Sequence, residues 1–258
     1  MIGAAVATVG SGGIVGFMLG LLGGGGSILA TPLLLYAVGV SSPHIAIGTS
    51  ALAVSTSALA NFAGHALKGN VWWRCATVFA TVGALGALAG SSVGIAMDGQ
   101  RLLVLFGVLM IVVAGLMLKP RRAAAASTRR VDRRMCLLTA FVSLFVGGAS
   151  GFFGIGGGFL IVPALLAATG MPMINAVGSS LLAVSAFGIA TAVNYAASGL
   201  IDWLLAAEFI GGSILGGLVG MTLGARLSAG KDTLNRIFAG VIFIVAGYML
   251  WRGVGPLH

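Results

Sequence analysis

The sequence has little charge. Only 7% of its 258 residues are Asp, Glu, Lys or Arg, whereas soluble domains carry about 25%. Hydrophobic residues make up 59% of the chain, and the mean hydropathy is +1.11. This composition excludes a soluble globular protein, and it excludes a disordered one because disorder requires low hydrophobicity and many charges. At about 20 apolar residues per crossing, the length allows about eight to ten membrane spans.

Residues for metal, cofactor or enzyme chemistry are also scarce. The two cysteines, Cys75 and Cys136, are too few for a disulfide framework or a four-thiolate metal site. His, Cys, Asp and Glu form no cluster with metal-ligand spacing. No P-loop occurs, and Gly154-x-Gly156 lacks the acidic residue about 20 positions downstream that dinucleotide binding requires. With no nucleophile–base pair visible, we expect no enzyme, no metal and no cofactor.

The positive charge is concentrated in one stretch. The net charge is +9, and half of the 14 basic residues lie between two hydrophobic halves. They are Lys119, Arg121, Arg122, Arg129, Arg130, Arg133 and Arg134. Such loops stay on the cytoplasmic side of a membrane, so this segment indicates topology and not a nucleic-acid partner.

The sequence repeats at an offset of 130 or 131 residues. GFMLGLLGGGGSILATPLLL begins at Gly16, and GGASGFFGIGGGFLIVPALL begins at Gly147. IGTSALAVS at 47–55 is matched by VGSSLLAVS at 177–185. Ordered matches at nearly constant spacing indicate two homologous halves, as in many transporters. The predicted domains are a first membrane repeat (1–118), a basic cytoplasmic linker (119–134), a second membrane repeat (135–252) and a short tail (253–258).

Each half contains five apolar segments, of which the third is long, at about 44–67 and 174–198, and the second is short. These short segments, at about 27–39 and 158–170, cannot cross ~30 Å of hydrocarbon at 1.5 Å per residue. Each follows a glycine run and contains a proline, which predicts a glycine-broken short or re-entrant helix. We therefore predict an all-α polytopic membrane protein.

The charges favour an inverted relation between the repeats. If the linker is inside, alternate crossings place Lys68 and Arg74 inside as well. The basic residues at 226–236 are inside only if each half has an odd number of crossings. Five spans per half, or three spans plus a re-entrant hairpin, satisfy this condition. The prediction is two inverted homologous repeats in the cell inner (plasma) membrane.

The two glycine runs are the clearest candidate site. Inside a membrane, irregular backbone is tolerated only where protein or a water-filled cavity surrounds it. A glycine run followed by a helix exposes free N–H groups at a positive helix end, which binds anions. Tight helix crossing is the alternative explanation. The residues expected to bind substrate are Gly24, Gly25, Gly26 and Ser27 in the first run and Gly156, Gly157 and Gly158 in the second.

Polar residues within apolar segments extend this site. Hydroxyl pairs match across the repeat, and amides in lipid require partners. Alternatively, each single hydroxyl could donate a hydrogen bond to the backbone of its own helix and take no part in substrate binding. The additional candidates for substrate binding are Thr49, Ser50, Asn61, Ser179, Ser180, Asn194 and Tyr195.

Two ionisable residues are candidates for coupling transport to another ion. His65 aligns with Tyr195, and Glu208 is the only carboxylate well inside an apolar segment. An interfacial position that reaches water is the alternative for both residues.

The chain resembles the sulfite exporter TauE/SafE family of membrane permeases. The resemblance covers about residues 10–252, and its specific elements are GGGGSILATPLLL, GTSALAVS and their second copies GFFGIGGGFLIVPALL and VGSSLLAVS. It implies a permease of two homologous halves, commonly described with seven or eight spans. It also implies export of sulfite, sulfonates or related sulfur-containing anions.

The residues predict a secondary transporter of a small anion, and the resemblance implies that it exports an anion that contains sulfur. Access would alternate around a site built from both repeats, with one repeat moving against the other. An anion channel and a non-transporting membrane scaffold are the alternatives. The expected partners are the anion and the lipid bilayer, a homodimer is left open, and nucleic acid is excluded.

Overall fold

The described part of the chain is built from helices. The computed structural model describes residues 2–118, 133–154, 158–226, 240 and 242–251, and no strand occurs among them. The all-α prediction is confirmed for these residues. The α-helices are α1 (Ile2–Leu22), α2 (Ala30–Pro32), α3 (Pro43–Leu67), α4 (Trp73–Ala96), α5 (Gly99–Leu118), α6 (Arg133–Phe153), α7 (Gly158–Thr169), α8 (Met173–Ala197), α9 (Trp203–Arg226) and α10 (Ile242–Trp251).

The helices of the two halves match in length. α1 and α6 each have 21 residues, α3 and α8 each have 25, and α4 and α9 each have 24. Of the described helices, α3, α4, α8 and α9 are long and apolar enough to cross a membrane. Arg133 and Arg134, predicted to belong to the linker, begin α6. The rest of the linker and the tail lie outside the described residues.

The second segment of each half is short and lies beside a glycine run, and we call these segments (23–38 and 158–169) the two broken segments. Only in the first half is the α-helix itself interrupted within the described residues. In the first half a 3-10 helix over Gly23–Leu29 leads into the single turn of α2, and a π-helix spans Leu33–Val38. Glycine and proline are the weakest helix formers, so a regular α-helix is not maintained here. In the second half, α7 has only 12 residues and contains Pro163. It follows Gly154, whose φ of +65° favours glycine.

The first helix of each half packs on the fourth helix of the other half. Glycines of α1 face the backbone carbonyls of α9 in rising order: Gly12 faces Phe209, Gly16 faces Ser213 and Gly20 faces Gly217. Glycines of α4 face the carbonyls of α6 in the same way: Gly86 faces Leu144, Gly90 faces Gly148 and Gly94 faces Phe152. Because both numbers rise together, the helices of each pair run parallel. Small residues permit this close approach in membranes.

α3 and α8 pack against each other and run antiparallel. Gly48, near the start of α3, lies against Tyr195, near the end of α8. Conversely, Gly178, near the start of α8, lies against His65, near the end of α3. α3 and α8 belong to different halves, so this packing joins the two halves.

α3 runs parallel to α9. The Thr49 hydroxyl, near the start of α3, accepts the backbone N–H of Asp202, which directly precedes α9. Gly64, near the end of α3, lies against Met221, near the end of α9. Because the beginnings of the two helices contact each other and their ends contact each other, α3 and α9 run parallel.

α4 runs parallel to α8 by the same criterion. The Ser179 hydroxyl accepts the N–H of Trp72 at the beginning of both helices, and Asn194 bonds Ser91 near their ends. Consequently α1, α3 and α9 run in one direction, and α4, α6 and α8 run in the other. We call the end where α1, α3 and α9 begin end 1, and the end where α4, α6 and α8 begin end 2.

Candidate functional site

A buried pair of hydroxyls joins the first broken segment to α3. Thr31 Oγ1 and Ser50 Oγ are 2.9 Å apart, and Ser50 also donates to the Ile47 carbonyl at 2.9 Å. Because Ser50 has one proton, Thr31 then donates to Ser50. Both residues are 1% exposed, and Ser27 is 0% exposed. Sequence reasoning missed Thr31, because its counterpart at an offset of 131 is the apolar Val162.

The two broken segments contact each other. The 3-10 helix that contains Gly24, Gly25 and Gly26 packs against both α7 and α1. A Cβ on Gly26 would lie 2.6 Å from the Leu19 nitrogen, so its lack of a side chain permits this approach. Gly158 is the first residue of α7. Gly156 and Gly157 lie outside the described residues.

Thr49 and Ser179 are linked to backbone groups of the opposite half. Thr49 Oγ1 accepts the Asp202 N–H at 3.0 Å, and Ser179 Oγ accepts the Trp72 N–H at 3.1 Å. Both hydroxyls are 0% exposed. Each contact therefore joins two neighbouring helix beginnings, and only the hydroxyl proton is left to offer to a substrate. Substrate binding by these residues stays a prediction.

The remaining polar candidates have partners in their own or a neighbouring helix. Ser180 donates to the Val177 carbonyl at 2.8 Å, and Asn61 Nδ2 donates to the Ser57 carbonyl at 3.1 Å. Asn194 Nδ2 donates to the Ser91 and Ser92 hydroxyls of α4 at 2.8 and 2.9 Å. These bonds satisfy amides that would otherwise be costly in a membrane.

Three ring side chains carry buried polar atoms that have no hydrogen-bond partner in the described ranges. These atoms are His44 Nδ1, His65 Nδ1 and Tyr195 Oη. Tyr195 is 0% exposed, and its ring centroid lies 6.4 Å from that of His44 at end 1. His65 lies at end 2. Sequence reasoning missed His44, because it follows Pro43 at the beginning of an apolar segment.

The acidic residues near α9 have different surroundings. Asp202 accepts the N–H groups of Leu204 and Leu205, each at 3.1 Å, and so caps the helix. Glu208 is half-buried within α9. A coupling role for Glu208 or His65 stays a prediction. In the described part of the chain, no three His, Cys, Asp or Glu residues are placed to hold a metal ion.

An apolar groove of about 590 Å³ lies between α1 and α9. Ile14, Phe17, Leu215 and several glycines line it, and its lining includes none of the residues predicted to bind the anion. The buried hydroxyls and this groove are therefore separate features of the molecule.

Comparison with known proteins assigns the family. Residues 8–249 match the sequence model of a protein family that is described as sulfite exporter TauE/SafE. A probable membrane transporter protein of Xylella fastidiosa is 60% identical over 98% of this chain and 97% of its own length. The probable membrane transporter protein YunE of Bacillus subtilis is 26% identical over 94% of each chain. No solved structure matches. The chain is therefore a multi-pass membrane protein that belongs to the sulfite exporter TauE/SafE family.

Proposed function

We propose that the protein is a secondary transporter that exports a small sulfur-containing anion by alternating access. One observation carries this proposal. Ser27, Thr31 and Ser50 are each at most 1% exposed, although Ser27 lies in the 3-10 helix that packs against α7, and the bonded pair Thr31 and Ser50 lies directly beside that helix. Hydroxyls at the junction of both halves suit a polar substrate, and their burial requires the surrounding helices to move before a substrate enters.

The chemistry of this junction suits an anion. Hydroxyl protons and the N–H groups of a 3-10 helix or a helix start donate hydrogen bonds to negative charge. Thr31 and Ser50 now bond each other and Ile47, so their protons would turn towards the anion when it arrives. Neutral donors hold an anion without a buried countercharge, which favours its release on the far side.

The helix directions support inverted repeats. Corresponding helices α1 and α6, α3 and α8, and α4 and α9 run in opposite directions, as a two-fold axis in the membrane plane requires. Five of the six basic residues in the described ranges lie at end 2, and Arg101 lies at end 1. We assign end 2 and the basic linker to the cytoplasm, because positive residues remain inside.

The membrane potential is sufficient to drive export. An inside-negative potential of about 100 mV contributes about 2.3 kcal/mol per charge. A dianion leaving the cell would gain about 4.6 kcal/mol, enough to oppose a gradient of roughly a thousandfold. Export of a dianion therefore need not depend on a coupled ion.

The purified protein is expected to bind a sulfur oxyanion or a small sulfonate. Calorimetry with sulfite, sulfate, thiosulfate and methanesulfonate would rank the candidates, with chloride as the control. In proteoliposomes, efflux of the bound anion should saturate with concentration. A single-channel conductance would favour the channel alternative, and no binding of any of the four anions would contradict the proposed substrate class.

Neutralising the linker is expected to disturb orientation more than affinity. Replacing the seven cations at 119–134, of which Arg133 and Arg134 begin α6, by glutamine removes the main signal that keeps end 2 inside. Tags at either terminus, read by protease protection in intact cells, should then report a mixed topology. A uniform topology like that of the unchanged chain would contradict the orientation given above.

A further inference from the structure

The tightest helix contacts lie between the two halves and not within them. α1 and α9 meet backbone to backbone through the glycines of both helices, because Gly212 and Gly216 face the carbonyls of Val9 and Gly13. α4 and α6 meet in the same way, where Gly147 faces Gly83. Separating either pair would remove close packing along several turns. Such packing is the main attraction between helices in lipid.

Each of these pairs is joined to one central helix. The Thr49–Asp202 hydrogen bond and the Gly64–Met221 contact join α3 to α9. α8 is joined to α4 by Asn194 and by the Ser179–Trp72 bond, which is the counterpart of Thr49–Asp202. Two bundles result, each with three parallel helices: bundle A is α1, α3 and α9, and bundle B is α4, α6 and α8.

The bundles meet where α3 crosses α8 and where the two broken segments touch. Near the middle of both helices, a Cβ on Gly188 would lie 2.6 Å from the Ser55 Cβ. At end 1 Gly48 lies against Tyr195, and at end 2 Gly178 lies against His65. Close glycine contacts therefore lie at the centre and at both ends of the crossing, and α3 and α8 pack along their length.

We infer that bundles A and B, each assembled from both halves, are the units that move during transport, and that they rock about the Ser55–Gly188 contact. Rocking in one sense opens the Tyr195 contact at end 1, and rocking in the other opens the His65 contact at end 2. The proposed anion site lies between the bundles and so faces each end in turn. This inference rests on the proposed function only in taking the chain to alternate between two states.

Four exposed positions distinguish bundle motion from motion of the sequence halves. Val6 of α1 and Leu223 of α9 belong to bundle A, and Val93 of α4 and Leu137 of α6 belong to bundle B. Val6 and Val93 lie at end 1, and the other two lie at end 2. Each would be changed to cysteine and spin-labelled in the full chain, in a Cys75→Ala and Cys136→Ala background in nanodiscs, for pulsed dipolar distance measurement.

Pairs within one bundle, Val6–Leu223 and Val93–Leu137, are expected to give single narrow distance distributions. Pairs between bundles, Val6–Val93 and Leu137–Leu223, should be broad or bimodal, and 10 mM sodium sulfite should lengthen one while shortening the other. Each between-bundle pair lies within one half of the sequence. Narrow within-half pairs with broad cross-half pairs would therefore overturn the inference, as would four equally narrow distributions.

The measurement separates this inference from the substrate proposal. Calorimetry could detect no bound anion while the between-bundle distance distributions are broad without ligand. This result would support motion of bundles A and B and contradict the proposed substrate class. Conversely, an anion could bind while all four distance distributions stay narrow and unchanged. This result would support the proposed substrate class and contradict motion of the bundles.

Discussion

Replacing Gly212 by leucine is expected to destabilise the protein strongly. A Cβ at this position would meet the Val9 carbonyl and lie 2.9 Å from its carbon and 3.1 Å from the Gly13 nitrogen. Because these are backbone atoms, α1 would have to move away from α9. Overpacking of this kind costs about 1–3 kcal/mol or more, which is a large share of a typical stability. Thermal unfolding in detergent, followed by size exclusion, measures the loss.

The neighbouring residue is a matched control. Gly211 lies on the same helix, and a Cβ there would meet nothing within 4 Å. Gly211→Leu should leave the melting temperature unchanged or raise it, because leucine is a better helix former by about 1 kcal/mol. If Gly212→Leu is as stable as Gly211→Leu, the backbone contact between α1 and α9 does not hold the protein together.

Removing the Thr31 and Ser50 hydroxyls together is expected to lower anion affinity at least a hundredfold. A hydrogen bond to a charged group contributes about 1.5–3 kcal/mol, so each lost donor should raise Kd about 10- to 150-fold. Thr31→Val and Ser50→Ala remove one donor each and change little volume. Calorimetry on the single and double variants, with the anion that the unchanged protein binds best, tests this.

Ser57→Ala supplies the control on the same helix. Ser57 is 0% exposed and donates to the Ala53 carbonyl of α3 at 2.8 Å, two turns beyond Ser50. Its removal should leave Kd unchanged. A double variant at positions 31 and 50 that folds and binds within twofold of the unchanged protein would exclude these hydroxyls from the site.

Much of the helix content was predictable because it is local. The two apolar segments at 44–67 and 174–198 became α3 and α8 within a residue of their expected bounds. Glycine and proline likewise act on their own backbone, so the loss of regular α-helix around the first glycine run and Pro32 was foreseeable, whereas α7 continues through Pro163. Element type follows from such short-range properties of the chain.

The pairing of helices was not predictable, because it depends on distant residues. Glycines at four-residue steps show that a helix has a packing face, but any small-residue face would fit it. The partners of Thr49 and Ser179 are backbone N–H groups, which leave no side-chain signature in the sequence. A matched hydroxyl therefore identified a polar position without revealing that it joins two helix beginnings.

The exchange of first helices between the halves also constrains how the protein is made. α1 leaves the ribosome long before α9, because about 180 residues separate Leu22 from Trp203. At about 5–20 residues per second, α1 waits for roughly ten seconds or more beside the translocon. During that interval the glycine face of α1 can contact only lipid or the insertion machinery. The first half therefore cannot complete its packing before the second half is made. A ribosome that stopped at the linker would release α1 without α9, the helix on which it packs.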